Sequence, residues 1–122
     1  MSMPSEEKPE AKRFVDDLTT DYANNVAFET SVWDLKLIFG EYSDQDKSVE
    51  WHTSITIPWA QAKLMQYYLQ INLEFNEQQQ GKIKIPSVAI PPAPSPPDPD
   101  DPAAKALYEL VQRNREKFME NL

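Results

Sequence analysis

The chain has 122 residues, no cysteine and a formal net charge of −8, with an isoelectric point near 4.6. That acidic balance argues against nucleic acid and anionic membrane as partners, because both need a basic face. The absence of thiols excludes disulfide staples and thiolate metal sites. The first twenty or so residues and the proline-rich part near the C-terminus hold few large apolar side chains, so about sixty residues remain for a core; a domain of that size buries only about 60% of its unfolded surface and needs a further staple, for which oligomerisation is the candidate.

Residues 1–21 are rich in Glu, Asp, Lys and Pro, and disorder is expected for most of them, with Phe14 and Leu18 spaced for at most one helical turn. The start Met1-Ser2-Met3-Pro4 lacks a basic and an apolar secretory region, and no apolar run approaches the roughly 18 residues of a membrane span. A cytoplasmic location is the expectation. A core is expected over 22–85. Its first strand is Asn25 to Thr30, with Val26 and Phe28 on one face. In the second, Trp33 to Tyr42, the residues Trp33, Leu35, Leu37 and Phe39 alternate with Asp34, Lys36 and Ile38. In the third, Val49, Trp51, Thr53, Ile55 and Ile57 alternate with Glu50, His52, Ser54 and Thr56. The run Ser43-Asp44-Gln45-Asp46-Lys47 reads as a hairpin loop, so the last two strands pair antiparallel.

Pro58 suits the first position of a helix and Gly81 the residue after its end. The roughly 22 residues between them make a rod of about 33 Å at 1.5 Å per residue. Lys63, Gln66, Gln70, Glu74 and Glu77 form a narrow polar strip on it. The remainder divides into two apolar stripes, Leu64, Tyr67, Tyr68, Ile71 and Phe75 on one side and Ala62, Met65, Leu69 and Leu73 on the other, with Asn72 on the seam. A helix lying on one small sheet hides a single stripe of about 100°, so Met65, Leu69, Asn72 and Leu73 are assigned to an oligomer interface.

From Pro86 to Pro102, 8 of 17 residues are proline. This 86–102 segment reads as a polyproline II spacer, about 50 Å long if fully extended. Asp101 then caps a helix over 103–122 whose first position is taken by Pro102. Leu107, Leu110, Val111, Phe118 and Leu122 share one side of it. The first four of these are assigned as docking residues, with Leu110 and Phe118 expected to be buried on this chain or a neighbouring one.

Four segments in order, Tyr22-Ala23-Asn24-Asn25-Val26, Trp33-Asp34-Leu35-Lys36-Leu37-Ile38-Phe39-Gly40, Ile57-Pro58-Trp59-Ala60-Gln61-Ala62-Lys63 and Asn72-Leu73-Glu74 running to Gly81-Lys82-Ile83, resemble the bacterial family called domain of unknown function 3467 over about half the chain. The sequence departs from that pattern at Phe75 to Gly81, where the family carries an aromatic pair, and at Ile57, where it usually has Ser or Thr. The resemblance implies a small cytoplasmic bacterial protein and brings no activity and no catalytic residues.

Candidate chemistry is thin. His52 is the one histidine; Glu50 and Ser54 flank it about 7 Å away along the strand face, too far for an activated nucleophile. Asp44 with Asp46, and Asp98 with Asp100 and Asp101, lack the glycine and terminal glutamate of a calcium loop and read as a solvated turn and a helix cap. The matches Pro91-x-x-Pro94 and Pro94-x-x-Pro97 stand beside acids rather than a basic residue, which favours a linker over a ligand. Trp33 and Trp51 are expected in the core and Trp59 at the surface. Two glycines in the whole chain leave no phosphate-cradling loop.

The reading is an α+β protein: a three-stranded antiparallel β-meander packed on one long α-helix, plus a proline-tethered C-terminal helix. It is expected to be a non-enzymatic, homo-oligomeric interaction or assembly module, at least a dimer, without cofactor or metal and with a possible protein partner at the C-terminal helix. The alternative is a holdase-like or secretion-linked protein with apolar grooves for unfolded chains.

Overall fold

The computed structural model describes residues 18–122. The fold is α+β: strands β1 (Asn25–Thr30), β2 (Asp34–Ser43) and β3 (Ser48–Pro58), then helix α1 (Trp59–Gln80), a 3₁₀ turn at Ser87–Ala89 and helix α2 (Pro102–Glu120). The chain divides into two units, one reaching to Lys63 and the other running from Leu64. The predicted disorder and the Phe14–Leu18 turn fall largely on residues 1–17, outside those described.

The strands form one antiparallel sheet in the order β1-β2-β3. Register builds one apolar face, because residues opposite each other in a ladder point the same way. Phe28 faces Leu37, which faces Ile55; Val26 faces Phe39, which faces Thr53; Thr30 faces Leu35, which faces Ile57. Leu37, at the centre, is buried with 7% of its surface accessible. At the β2–β3 hairpin Lys47 takes a positive φ of 56° and donates its N–H to the Ser43 carbonyl at 2.9 Å, closing the expected turn.

The alternation of β3 does not survive intact. Phe39 pairs with Thr53 and the next residue, Gly40, with Trp51, which leaves His52 as the extra residue of a bulge. An inserted residue reverses the phase of everything beyond it. Val49 and Trp51 therefore lie on the face opposite Ile55 and Ile57, contrary to the single apolar face expected of this strand. Gly40 makes room for them. A Cβ there would stand 2.7 Å from Trp51 Cε3 and 2.8 Å from both Val49 Cγ1 and the Glu50 carbonyl oxygen.

Pro58 closes β3 opposite Asp34 rather than opening α1, so the helix starts one residue later than predicted. A proline fits there because β3 is an edge strand and the missing N–H takes no bond from the ladder. At the other end Gly81 adopts φ +88° and its N–H reaches the Glu77 carbonyl at 2.9 Å, the glycine-terminated helix end that was predicted.

In the second unit, Asp98-Pro99-Asp100-Asp101 reverses the chain. Asp101 N–H donates to the Asp98 carbonyl at 3.0 Å and Asp100 N–H to Asp98 Oδ1 at 2.9 Å, with proline in the second turn position where its fixed φ belongs. Asp101 Oδ1 then accepts from Ala103 and Ala104 N–H, both at 3.1 Å, and Pro102 begins α2. Asp101→Ala is expected to cost about 1 kcal/mol of local stability, read as faster amide exchange at Ala103 and Ala104 with the sheet unaffected.

The proline-rich segment is not a free spacer. Ile90, Pro94 and Pro97 are half-buried, as are Ala104, Tyr108, Gln112 and Arg115 on one side of α2, and Arg115 Nε donates to the Pro91 carbonyl at 2.9 Å. A three-residue polyproline turn matches rows of side chains spaced by three and four on a helix. After the reversal at Pro99 the two segments therefore lie side by side, and the 50 Å reach expected of the segment is not used.

Candidate interaction surfaces

The apolar sheet face is open in the single chain: Phe28 keeps 61% and Ile55 50% of its surface exposed. Helix α1 is barer still. None of its 22 residues is buried, and both stripes, from Leu64, Tyr67, Tyr68, Ile71 and Phe75 to Met65, Leu69 and Leu73, are solvent-exposed, Leu69 by 55%. What order the helix surface has is local. Tyr67 and Tyr68 meet edge-on with ring centres 5.2 Å apart, Gln70 donates to Glu74 at 3.1 Å, and Asn72 Nδ2 donates to the Tyr68 carbonyl at 2.8 Å. Asn72 thus satisfies itself within its own helix.

On α2 the four assigned residues, Leu107, Leu110, Val111 and Phe118, are all exposed in the single chain, so Leu110 and Phe118 are not covered by this copy. The physical reason is rotation. The half-buried residues Ala104, Tyr108, Gln112 and Arg115 face the proline segment, so the apolar stripe is left at its flank. Phe118 and Leu122 nonetheless join Leu73 of α1 and Ile83 and Ile85 of the connecting segment in lining a half-open groove of ≈ 490 Å³, which also carries Lys82 and Lys117 beside Glu74 and Glu77. Its α1 side is fixed by Glu77, whose Oε2 accepts from the Ile83 N–H at 2.9 Å.

The bulge rearranges the surroundings of His52. Its Nε2 lies 3.0 Å from the Tyr22 carbonyl, which can only accept, so the ring donates there, and its Nδ1 lies 2.8 Å from Thr53 Oγ1. Thr53 Oγ1 donates to Asp21 Oδ2 at 3.2 Å. The segment before β1 is held further by Asn24, whose N–H donates to the Gly40 carbonyl at 3.0 Å and whose Oδ1 accepts from Tyr42 N–H at 2.8 Å. His52 therefore ties a strap to β3 instead of standing in a solvated row with Glu50 and Ser54. His52→Ala is expected to cost about 1 kcal/mol for the lost carbonyl bond and to raise the exchange rates of the Tyr22–Asn24 amides. No change on either count would contradict the assignment.

Two of the three tryptophans are not where the alternation put them. Trp51 crosses to the other face with the bulge, and Trp33 falls in the β1–β2 turn and not in β2. The turn is tightly tied. Ser31 N–H donates to the Asp34 carbonyl at 3.0 Å, Ser31 Oγ donates to Asp34 Oδ1 at 2.9 Å and accepts from the N–H groups of Trp33 at 3.1 Å and Asp34 at 3.0 Å. Trp59 Nε1 donates to the Ser31 carbonyl at 2.9 Å. Trp59 is exposed, as predicted. The Ser31-x-x-Asp34 spacing was the signal available for this turn, since a hydroxyl three residues before an acid builds such turns; Gly40 inside a central strand was the signal for the bulge.

Among the described residues no group of three or more His, Asp or Glu is arranged to hold a metal ion, and no helix is long and apolar enough to cross a membrane. The β2–β3 end gathers Glu41, Asp46 and Glu50 around a polar hollow. A family model described as a protein of unknown function (DUF3467) matches residues 2–85. No curated protein and no solved structure matches the chain.

Proposed function

The chain belongs to the DUF3467 family of proteins of unknown function, and from that premise we propose that it is a non-enzymatic interaction module that works as a homo-oligomer, at least a dimer, in the cytoplasm. The observation that carries this reading is α1: a helix of 22 residues with apolar side chains on two sides and none buried. Each large apolar side chain moved out of water contributes about 1.5–3 kcal/mol, and one buried leucine in the sheet is too little to hold such a fold alone. A second copy supplies cover for the sheet face and for the stripe of Met65, Leu69 and Leu73 at once, and it is the one partner present wherever the chain is. The docking residues of α2 suit a further protein partner or a neighbouring copy.

Native mass spectrometry of the full chain tests the reading. A mass of at least two chains of 14.1 kDa each is the expected result, and a folded species at 14.1 kDa alone would refute it.

A further inference from the structure

The two edges of the sheet, β1 and β3, are not alike. The β3 edge is interrupted: His52 bulges out of register, its ring is tied to the Tyr22 carbonyl and Thr53 to Asp21, and Pro58 at its end has no N–H to offer. Strand β1 pairs with β2 over Asn25–Thr30 without a break in register and contains no proline. The bond from the Ser31 N–H to the Asp34 carbonyl sets the phase of that ladder. Antiparallel pairs alternate between bonded and non-bonded, so Ala27 and Glu29 bond to β2 while the N–H and C=O groups of Val26, Phe28 and Thr30 point away from the sheet. Such an edge is a template for another strand. Glu29 does not guard it on the apolar side, because its side chain lies on the other face, paired with Lys36 at 3.5 Å.

We infer that β1 pairs antiparallel with β1 of a second copy, about a two-fold axis at Phe28, joining two three-stranded sheets into one. The inference rests on the homo-oligomer reading and adds an edge contact to the covering of α1 and of the sheet face. In this register Phe28 meets Phe28 of the other copy and Val26 meets Thr30, each pair exchanging both backbone bonds. The apolar row Ile55, Leu37, Phe28 then runs on into its counterpart with an aromatic pair at the centre, and Val26 and Phe28, now 48% and 61% exposed, gain cover. Glu29 falls opposite Ala27. Sliding the second strand one way sets Glu29 opposite Glu29, which like charge disfavours, and sliding it the other way loses the aromatic pair. A second copy is the occupant because the strand complements itself and because one edge alone is open. A two-fold contact uses that edge up, and the interrupted β3 edges stop further growth.

Because the chain has no cysteine, the pairing can be trapped. Val26→Cys protein is mixed with Thr30→Cys protein and mildly oxidised; residues in a bonded pair lie about 5.5 Å apart at Cα, within disulfide range. A disulfide that joins the two variants, and forms with neither alone, is the expected result. Should either variant not fold, Phe28→Cys protein is oxidised by itself and is expected to join to itself. Val26→Pro removes an N–H that β2 does not use, and is expected to weaken the oligomer by about tenfold or more with the circular dichroism of the parent wherever the oligomer persists. An oligomer that gives no such disulfide, or that Val26→Pro leaves equally tight, overturns the strand pairing, returns the edge to a strand of another protein and leaves the homo-oligomer reading standing. A monomeric parent chain overturns both.

Discussion

Leu69→Glu combined with Leu73→Glu is expected to abolish self-association. Both leucines lie on the second stripe of α1 and both keep about half their surface exposed in the single chain, Leu69 55% and Leu73 42%, so a large share of their apolar area is left for a second copy to cover. In the oligomer they remove two apolar anchors and place two carboxylates where water is excluded. The lost burial alone is about 4 kcal/mol, a thousandfold in affinity, and the charges add to it. Obligate dimers often have no stable folded monomer, so the variant is expected as either monomer or unfolded chain, distinguished by circular dichroism alongside sedimentation. A native-like oligomer would remove Leu69 and Leu73 from the interface.

Gly40→Ala has the largest effect expected inside one chain. The added methyl meets Trp51 Cε3 at 2.7 Å and the Glu50 carbonyl oxygen at 2.8 Å. The indole can swing aside, but the carbonyl belongs to the strand paired with β2 and cannot move without opening the ladder beside the bulge. Overpacking of this kind costs roughly 3 kcal/mol, a large share of the stability of any small domain. Denaturant unfolding reads it directly. An alanine variant as stable as the parent would mean that Trp51 does not lie over Gly40.

What the residues disclosed in advance follows from how local each signal is. β1 has the predicted bounds, and the α2 cap at Asp101 with Pro102, like the α1 end at Gly81, follows from chemistry confined to a few neighbouring residues. Pro58 was ambiguous because an edge-strand end and a first helical turn both tolerate a missing N–H. The bulge at His52 was not legible in β3 itself, since Val49, Trp51, Thr53 and Ile55 keep their period of two in sequence even where one extra residue reverses their facing in space; the one signal for it lay in the neighbouring strand, at Gly40. Trp33 was misplaced for a related reason: the same period of two runs on through the turn. The proline segment looks like a spacer by composition; what makes it a partner of α2 is the reversal at Pro99 and the bond from Arg115 to Pro91, a long-range contact that no local pattern encodes.

These corrections bear on the interaction surfaces more than on the fold. With Trp51 on the other face, the apolar sheet face is confined to Val26, Phe28, Leu35, Leu37, Phe39, Ile55 and Ile57, and the strap held by His52 borders it at Thr53. With the proline segment laid against α2, the flank of that helix with Leu107 and Leu110 stays exposed.

Sedimentation equilibrium of the full chain over a dilution series decides whether another copy covers the exposed stripes of α1 and the open sheet face. The expected mass is that of at least two chains of 14.1 kDa each, falling on dilution only together with loss of folded structure. A stable, folded monomer of 14.1 kDa at every concentration would contradict it.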